Sequence, residues 1–265
     1  MTFAIGPNQT AIVTGAASGI GRAACMALAK RGMQVVLVDL PSRALTQAAL
    51  ACNGRAIAAD VGDRAGLQSV ASQVADLPPV TLVMNNAGMG GDSACLGDPG
   101  AFERTLRTNL WGVINGAQVF GPLVTEGMIV NTGSKQGITT PPGNPAYNVS
   151  KAAVKAFTEA LAHELRNTRP EVSAHLLIPG WVHTGMTAAS GAPKPAGAWT
   201  PEQTVDFLLE SLARGDFYIL CPDNDTPRAL DEARIAWAAG DIIHNRPALS
   251  RWHPDHAEVF KASLG

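Results

Sequence analysis

Four cysteines in 265 residues, Cys25, Cys52, Cys95 and Cys221, lie far apart and form no CxxC pair. That scarcity argues against a disulfide framework and against a zinc site, and predicts reduced thiols in a cytosolic compartment. Charge of one sign is also lacking: 20 Lys+Arg stand against 22 Asp+Glu, a formal charge of -2. No basic face is implied that would neutralise a phosphate backbone, so nucleic acid is not an expected partner. Nowhere do about 18 apolar residues run uninterrupted, and the opening MTFAIGPNQT lacks the basic start and apolar centre of a leader. The chain is therefore expected to be soluble, cytoplasmic and without a membrane partner. His183, His244, His253 and His256 have no metal-ligand spacing with a carboxylate or cysteine, and no metal is expected. Internal repeats, charge blocks and long linkers are absent too.

What is present is a core. With 46% hydrophobic residues, residues 1–265 are expected to form a single domain. Apolar runs of strand length recur at Ala11 to Val13, Val35 to Val38, Ala56 to Ala59, Thr81 to Met84, Met128 to Val130, Val172 to Ile178 and Phe217 to Leu220, with helical stretches between them. The alternation predicts a doubly wound Rossmann-type α/β fold, about seven mostly parallel strands in the order 3-2-1-4-5-6-7 with helices on both faces. Phe102, Leu106, Leu110, Val113 and Ala117 mark one helix face packed on that sheet. Thr200-Pro201-Glu202-Gln203 reads as a capping box opening a helix that ends near Gly215. Residues 185–200 are expected to form a substrate-side loop, mobile in its Ser190 to Ala198 patch. Residues 223–265 form a C-terminal extension beyond what the sheet needs. Ala229, Ala233, Ala236 and Trp237 give it a helical stripe ending at Gly240, and it is expected to close over the substrate mouth or a subunit neighbour.

The first strand leads into Thr14-Gly15-Ala16-Ala17-Ser18-Gly19-Ile20-Gly21 and then an Ala-rich helix. Glycines there let the backbone turn sharply and approach a pyrophosphate, whose charge sits at the helix N-terminus. Asp39 ends the second strand about 20 residues further on, where a carboxylate can accept hydrogen bonds from ribose hydroxyls and would repel a 2'-phosphate. The expected cofactor is therefore NAD rather than NADP, although Arg43 could pair with a phosphate.

Tyr147-Asn148-Val149-Ser150-Lys151 resembles the YxxSK signature of the short-chain dehydrogenase/reductase family. Thr14 to Gly21 is similar to that family's TGxxxGxG, and Asn85-Asn86-Ala87-Gly88 to its NNAG. Asp60-Val61 is similar to its adenine-contacting pair, and Pro179-Gly180-Trp181-Val182-His183-Thr184 to its PGxVxT, which holds the nicotinamide carboxamide. The resemblance runs from residue 10 to about residue 221. It implies a catalytic tetrad of Asn109, Ser134, Tyr147 and Lys151. It also implies cofactor contacts from Gly15, Ser18, Gly19, Ile20, Gly21, Asp39, Asp60, Val61, Asn86, Ala87, Gly88, Tyr147, Lys151, Pro179, Gly180, Val182 and Thr184. Gly133 departs from relatives that carry a second serine before Ser134. A homodimer or homotetramer, built through the helices that carry Asn109 and Tyr147, is implied as well.

On a helix, Tyr147 and Lys151 are one turn apart and share a face. Bringing a phenol from a pKa of about 10 to near neutrality takes roughly 4 kcal/mol, and an ammonium about 4 Å away supplies energy of that order. Tyr147 can then be the base in alcohol oxidation and the acid in carbonyl reduction. Ser134 would polarise the substrate oxygen. The resemblance implies that the Asn109 carbonyl holds a water linking Lys151 to solvent. Met89, Trp181, Met186 and Trp199 are candidates to flank an apolar, medium-sized alcohol or ketone substrate. Two rivals remain open: an epimerase or dehydratase on the same fold, and a non-catalytic regulator that senses NAD(P). The compact chain and the GxxxGxG loop speak against the first. The joint presence of Ser134, Tyr147 and Lys151 speaks against the second.

Overall fold

The computed structural model describes residues 4–187 and 193–264. Seven strands, β1 (Thr10–Thr14), β2 (Gln34–Asp39), β3 (Arg55–Ala58), β4 (Val80–Asn85), β5 (Val124–Thr132), β6 (Val172–Ile178) and β7 (Tyr218–Leu220), form one sheet. Its order is 3-2-1-4-5-6-7, and every pairing is parallel. Alternate residues of a strand feed opposite cores, which is why the strands read as unbroken apolar runs. Ala11 and Val13 pack with Cys25, Leu45 and Leu208. Ile12 points the other way, into a cluster with Leu67, Phe120 and Leu165.

Helices α1 (Gly19–Ala29), α2 (Arg43–Cys52) and α3 (Arg64–Ser72) follow the first three strands. The stretch after β4 comprises α4 (Pro99–Leu106), a π turn (Arg107–Trp111) and α5 (Gly112–Phe120). It departs from the stripe expected of one regular helix. Val113 and Ala117 are buried, but Phe102, Leu106 and Leu110 are only half-buried, and the inward line runs through Thr105 and Asn109. The π turn spaces its residues more widely than the 3.6 period assumed for the stripe. β5 likewise starts ahead of its apolar run. Its Thr125 and Glu126 are exposed, and Gly127, at φ 136°, lies with its α-carbon against the Thr81 carbonyl.

A short helix α6 (Gln136–Thr139) and the long α7 (Pro145–Thr168) follow β5, and α8 (Pro201–Arg214) follows β6. The Thr200–Gln203 capping box opens α8, and Gly215 closes it in the left-handed conformation. The extension folds into α9 (Arg228–Ile243), a 3-10 turn (Ser250–Trp252) and α10 (Pro254–Ala262). The α9 helix rests on α6. Part of the loop expected at 185–200, residues 188–192, lies outside the described residues.

Candidate active site

Parallel strands all end on one side of the sheet. Order reverses between β2 and β4, the two neighbours of β1, which leaves a crevice beyond the strand ends. There the structure has a cleft of about 620 Å³. On its β1 side, Gly15 turns at φ 67°, and a Cβ would strike the Ala87 backbone at 2.7 Å. Gly21 does not reach the cleft; its α-carbon faces the Gly15 carbonyl, where a Cβ would collide. Its glycine therefore lets α1 approach β1. Ser18 caps α1 without a side-chain hydrogen bond, so the first-turn amides beside Gly19 and Ile20 keep their donors for a ligand.

Three segments are tied together around that turn. Thr14 Oγ1 accepts from Asn86 N at 2.9 Å and from Ala87 N at 3.1 Å. Asn86 Nδ2 donates to the Thr14 carbonyl at 3.2 Å, and Thr132 Oγ1 donates to Asn86 Oδ1 at 3.3 Å. Asn86 is thus a brace between β1 and β5. At the end of β2, Asp39 accepts from Ala17 N at 2.9 Å and Leu40 N at 2.7 Å, one main-chain donor on each oxygen. Those bonds fix its carboxylate on the cleft wall. Asp60 accepts from Gly62 N at 2.8 Å and pairs with Arg107 at 2.9 Å, and with Val61 it lines the cleft beside Asp39. Arg43 opens α2 and is absent from the lining.

Across the cleft, Ser134 follows β5, and Tyr147 and Lys151 come from α7. The Asn144 side chain caps that helix, with Oδ1 accepting from Tyr147 N at 3.3 Å. Lys151 Nζ donates to the Thr132 carbonyl at 2.8 Å and stands 5.7 Å from the Tyr147 ring centre. Burial alone pulls the Lys151 ammonium from 10.5 down to about 8. For Tyr147, burial raises the phenol above its ordinary value, and the Ser134 hydroxyl partly pulls it back. That direction is opposite to the one expected of the ammonium acting alone. The residue is half-buried in the cleft wall, and the lysine's hydrogen bond goes to a carbonyl rather than to the phenol.

Asn109 is fully buried and works from behind the lining. Its Oδ1 accepts from Met89 N at 2.7 Å, while Nδ2 donates to the Met89 carbonyl at 2.9 Å and to Ser150 Oγ at 3.2 Å. Ser150 in turn donates to the Tyr147 carbonyl at 2.7 Å. The Asn109 side chain therefore connects the π turn to the helix of Tyr147. Gly88, Pro179, Gly180, Val182 and Thr184 complete the lining expected from the motifs. Met89 and Met186 also line the cleft, whereas Trp181 and Trp199 do not; Trp199 stacks edge-on against Phe207 instead.

Leu40, Ala59, Thr108, Thr132 and Thr187 join the lining unforeseen. Thr132 contributes a backbone carbonyl, for which no residue type is a signal. Ser150, inside the Tyr147 to Lys151 motif, could have been found from that motif. Among the described residues, no group of three or more His, Cys, Asp or Glu could hold a metal, and no helix is long and apolar enough to cross a membrane.

The chain is similar to known proteins. Residues 9–195 match the family described as short chain dehydrogenase. The 1-deoxy-11-beta-hydroxypentalenate dehydrogenase of Streptomyces exfoliatus is 30% identical over 264 residues, 92% of this chain and 94% of its own. Galactitol 2-dehydrogenase (L-tagatose-forming) of Cereibacter sphaeroides is 34% identical over 186 residues, 67% of this chain and 72% of its own. A crystal structure of a short chain dehydrogenase/reductase from Burkholderia phymatum in complex with NAD superposes with a TM-score of 0.81 at 29% identity, covering 92% of this chain and 97% of that one. This chain belongs to the short-chain dehydrogenase/reductase family of oxidoreductases.

Proposed function

We propose that the protein transfers hydride between NAD(H) and a secondary alcohol or ketone, with Tyr147 as the acid/base. One observation carries the reading. Ser134, Tyr147 and Lys151 meet on the β5–β6 side of a cleft whose β1–β2 side offers Gly15, the N-terminus of α1 and Asp39. The residues present fit a dinucleotide. Amides of α1 without a side-chain cap suit a pyrophosphate, and Asp39 suits ribose hydroxyls. Gly88 keeps space beside Lys151, where a Cβ would lie 3.6 Å from Nζ. Pro179, Gly180, Val182 and Thr184 would hold the carboxamide end. The nicotinamide, when bound, gives or takes the hydride.

Tyr147 hands its phenolic proton to a carbonyl oxygen in reduction and takes the hydroxyl proton in oxidation. Ser134 donates to the same oxygen and stabilises the charge that develops there. Lys151, with its pKa brought to about 8, is suited to pass protons near neutral pH, through a water held by the Asn109 carbonyl. Because the phenol must lose its proton, oxidation should quicken as pH rises. Met89 and Met186 favour an apolar, medium-sized substrate. Trp111 and Val149, exposed on the helical stretches of Asn109 and Tyr147, favour a homodimer or homotetramer.

The test is NADH formation, followed by absorbance, over a panel of secondary alcohols, repeated with NADP. Turnover with NAD preferred supports the proposal. Equal or better efficiency with NADP would show Asp39 misread and make Arg43 the residue to examine.

A further inference from the structure

Lys135, next to Ser134, is the centre of a buried charge cluster that joins the C-terminal extension to the cleft. Its Nζ lies 3.2 Å from Asp223 Oδ2 and 2.6 Å from Asp231 Oδ2, with side-chain exposures of 15%, 6% and 4% for the three residues. Asp223 follows β7, and Asp231 lies in the first turn of α9. Asp223 Oδ2 also accepts from Trp181 N at 3.1 Å. Lys135 N donates to the Pro179 carbonyl at 3.3 Å. Gly180 is enclosed by the same groups, since a Cβ there would lie 2.8 Å from Lys135 Nζ and closer still to Asp223 Oδ2.

Such a cluster is a poor way to gain stability, because desolvating three charges consumes most of what their attraction returns. One lysine faces two carboxylates, and Arg234 and Arg251 act on Asp231 from a distance. What the cluster does provide is geometry. It joins the turn after β5, the turn after β6 and the start of α9 at a single ammonium. Those first two turns carry Ser134 and Gly180 into the cleft.

We propose that Asp231 and Asp223, acting through Lys135, are positioning residues: Asp231 sets the Ser134 turn and Asp223 sets the Pro179 to Trp181 segment. The extension is then a working part of the active-site frame. This rests on the reading above, in which Ser134 touches substrate and Gly180 the nicotinamide. The two carboxylates divide the labour by what each touches. Among the described residues Asp231 meets the lysine alone, as an ion pair at 2.6 Å without a hydrogen bond on that oxygen, whereas Asp223 also holds the Trp181 amide.

The experiment uses full-length Asp231→Asn and Asp223→Asn, each of which leaves one buried ion pair intact. NADH affinity is read by fluorescence titration, kcat and KM with the best alcohol of the panel, and Tm by thermal unfolding. A misplaced positioning group costs about tenfold or more. Asp231→Asn is expected to lower kcat/KM for the alcohol to that extent while NADH Kd stays near wild type. Asp223→Asn is expected to weaken NADH to that extent. A variant that does not fold is replaced by Asp231→Glu or Asp223→Glu, which keeps the charge but displaces it by one methylene, and the same split is expected. Wild-type constants per folded molecule in both variants, with only Tm lowered, overturn the inference, as does an equal change in both constants. A wild-type protein that binds no NADH overturns the parent reading and this inference with it.

Discussion

The strand-end rim of the cleft and the C-terminal extension are held together by different means. At the rim, main chain does most of the holding: Gly15 and Gly21 let backbones touch, the Thr14 hydroxyl and the Asp39 carboxylate catch amides, and the Thr132 carbonyl holds Lys151. In the extension, side chains hold side chains. Asp241 accepts from Arg246 Nε at 2.9 Å, Ser250 Oγ at 2.5 Å and Ser250 N at 3.1 Å. Trp237 Nε1 donates to Ser250 Oγ at 2.7 Å, Arg246 stacks 3.9 Å over Trp237, and Arg251 stacks 4.0 Å over Trp252. Backbone-made structure tolerates few residue types at each position and so leaves a motif. Side-chain-made structure depends on pairs that many residue types could form.

The contrast is sharpest at the proposed proton carrier. Tyr147→Phe should lower kcat by roughly 10²-fold to 10⁴-fold while NADH binding stays nearly intact, since only an acid/base is removed. Near-normal turnover would exclude Tyr147. Next in size is Gly21→Ala, whose new methyl meets the Gly15 carbonyl, a backbone group that cannot swing aside. NADH affinity should fall by about a hundredfold or the fold should be lost; unchanged titration and Tm would show that α1 can shift.

Breaking the extension should look different. Asp241→Asn weakens hydrogen bonds to a charged group and should cost roughly 1.5–3 kcal/mol in urea unfolding, with NADH affinity unaltered. A loss of affinity with no loss of stability would remove the distinction between the two regions. The smallest expected effect is that of Lys151→Met on stability, and it has the opposite sign. Below pH 8 the folded protein carries an ammonium that its surroundings disfavour, a cost of about 3 kcal/mol at 1.36 kcal/mol per unit. That cost fades as pH rises from about 8, where the folded lysine loses its proton, to about 10.5, where the unfolded chain loses it too. Allowing about 1 kcal/mol for the lost bond to the Thr132 carbonyl, the variant should gain about 1–2 kcal/mol at pH 7. The gain should vanish as pH approaches about 10.5. Unfolding at pH 7 and pH 10 checks both the sign and the trend; no gain at pH 7 would mean that the site tolerates the charge.

Much of the site was legible because its motifs are conformational requirements written as residue types. Gly15 and Gly19 stand at positive φ, Asp39 ends a strand, and Tyr147 and Lys151 share a helix face. Where the reading went astray, the cause was a departure from regular geometry. The stripe from Phe102 to Ala117 assumed one period and met a π turn. Trp181 and Trp199 are absent from the cleft lining, and Trp199 stacks on Phe207 instead. Lys135 gave no signal, because its partners Asp223 and Asp231 lie 88 and 96 positions away.

By itself the sequence determined the strand and helix alternation, the parallel sheet and the residues that meet at its strand ends. Periodicity and glycine are local properties that act over a few residues. Only the tertiary structure decided what surrounds those groups: that Lys151 bonds the Thr132 carbonyl, that the Tyr147 phenol is raised by burial, and that α9 reaches back to the turn carrying Ser134. Desolvation and charge pairing depend on every atom nearby, whatever its place in the chain.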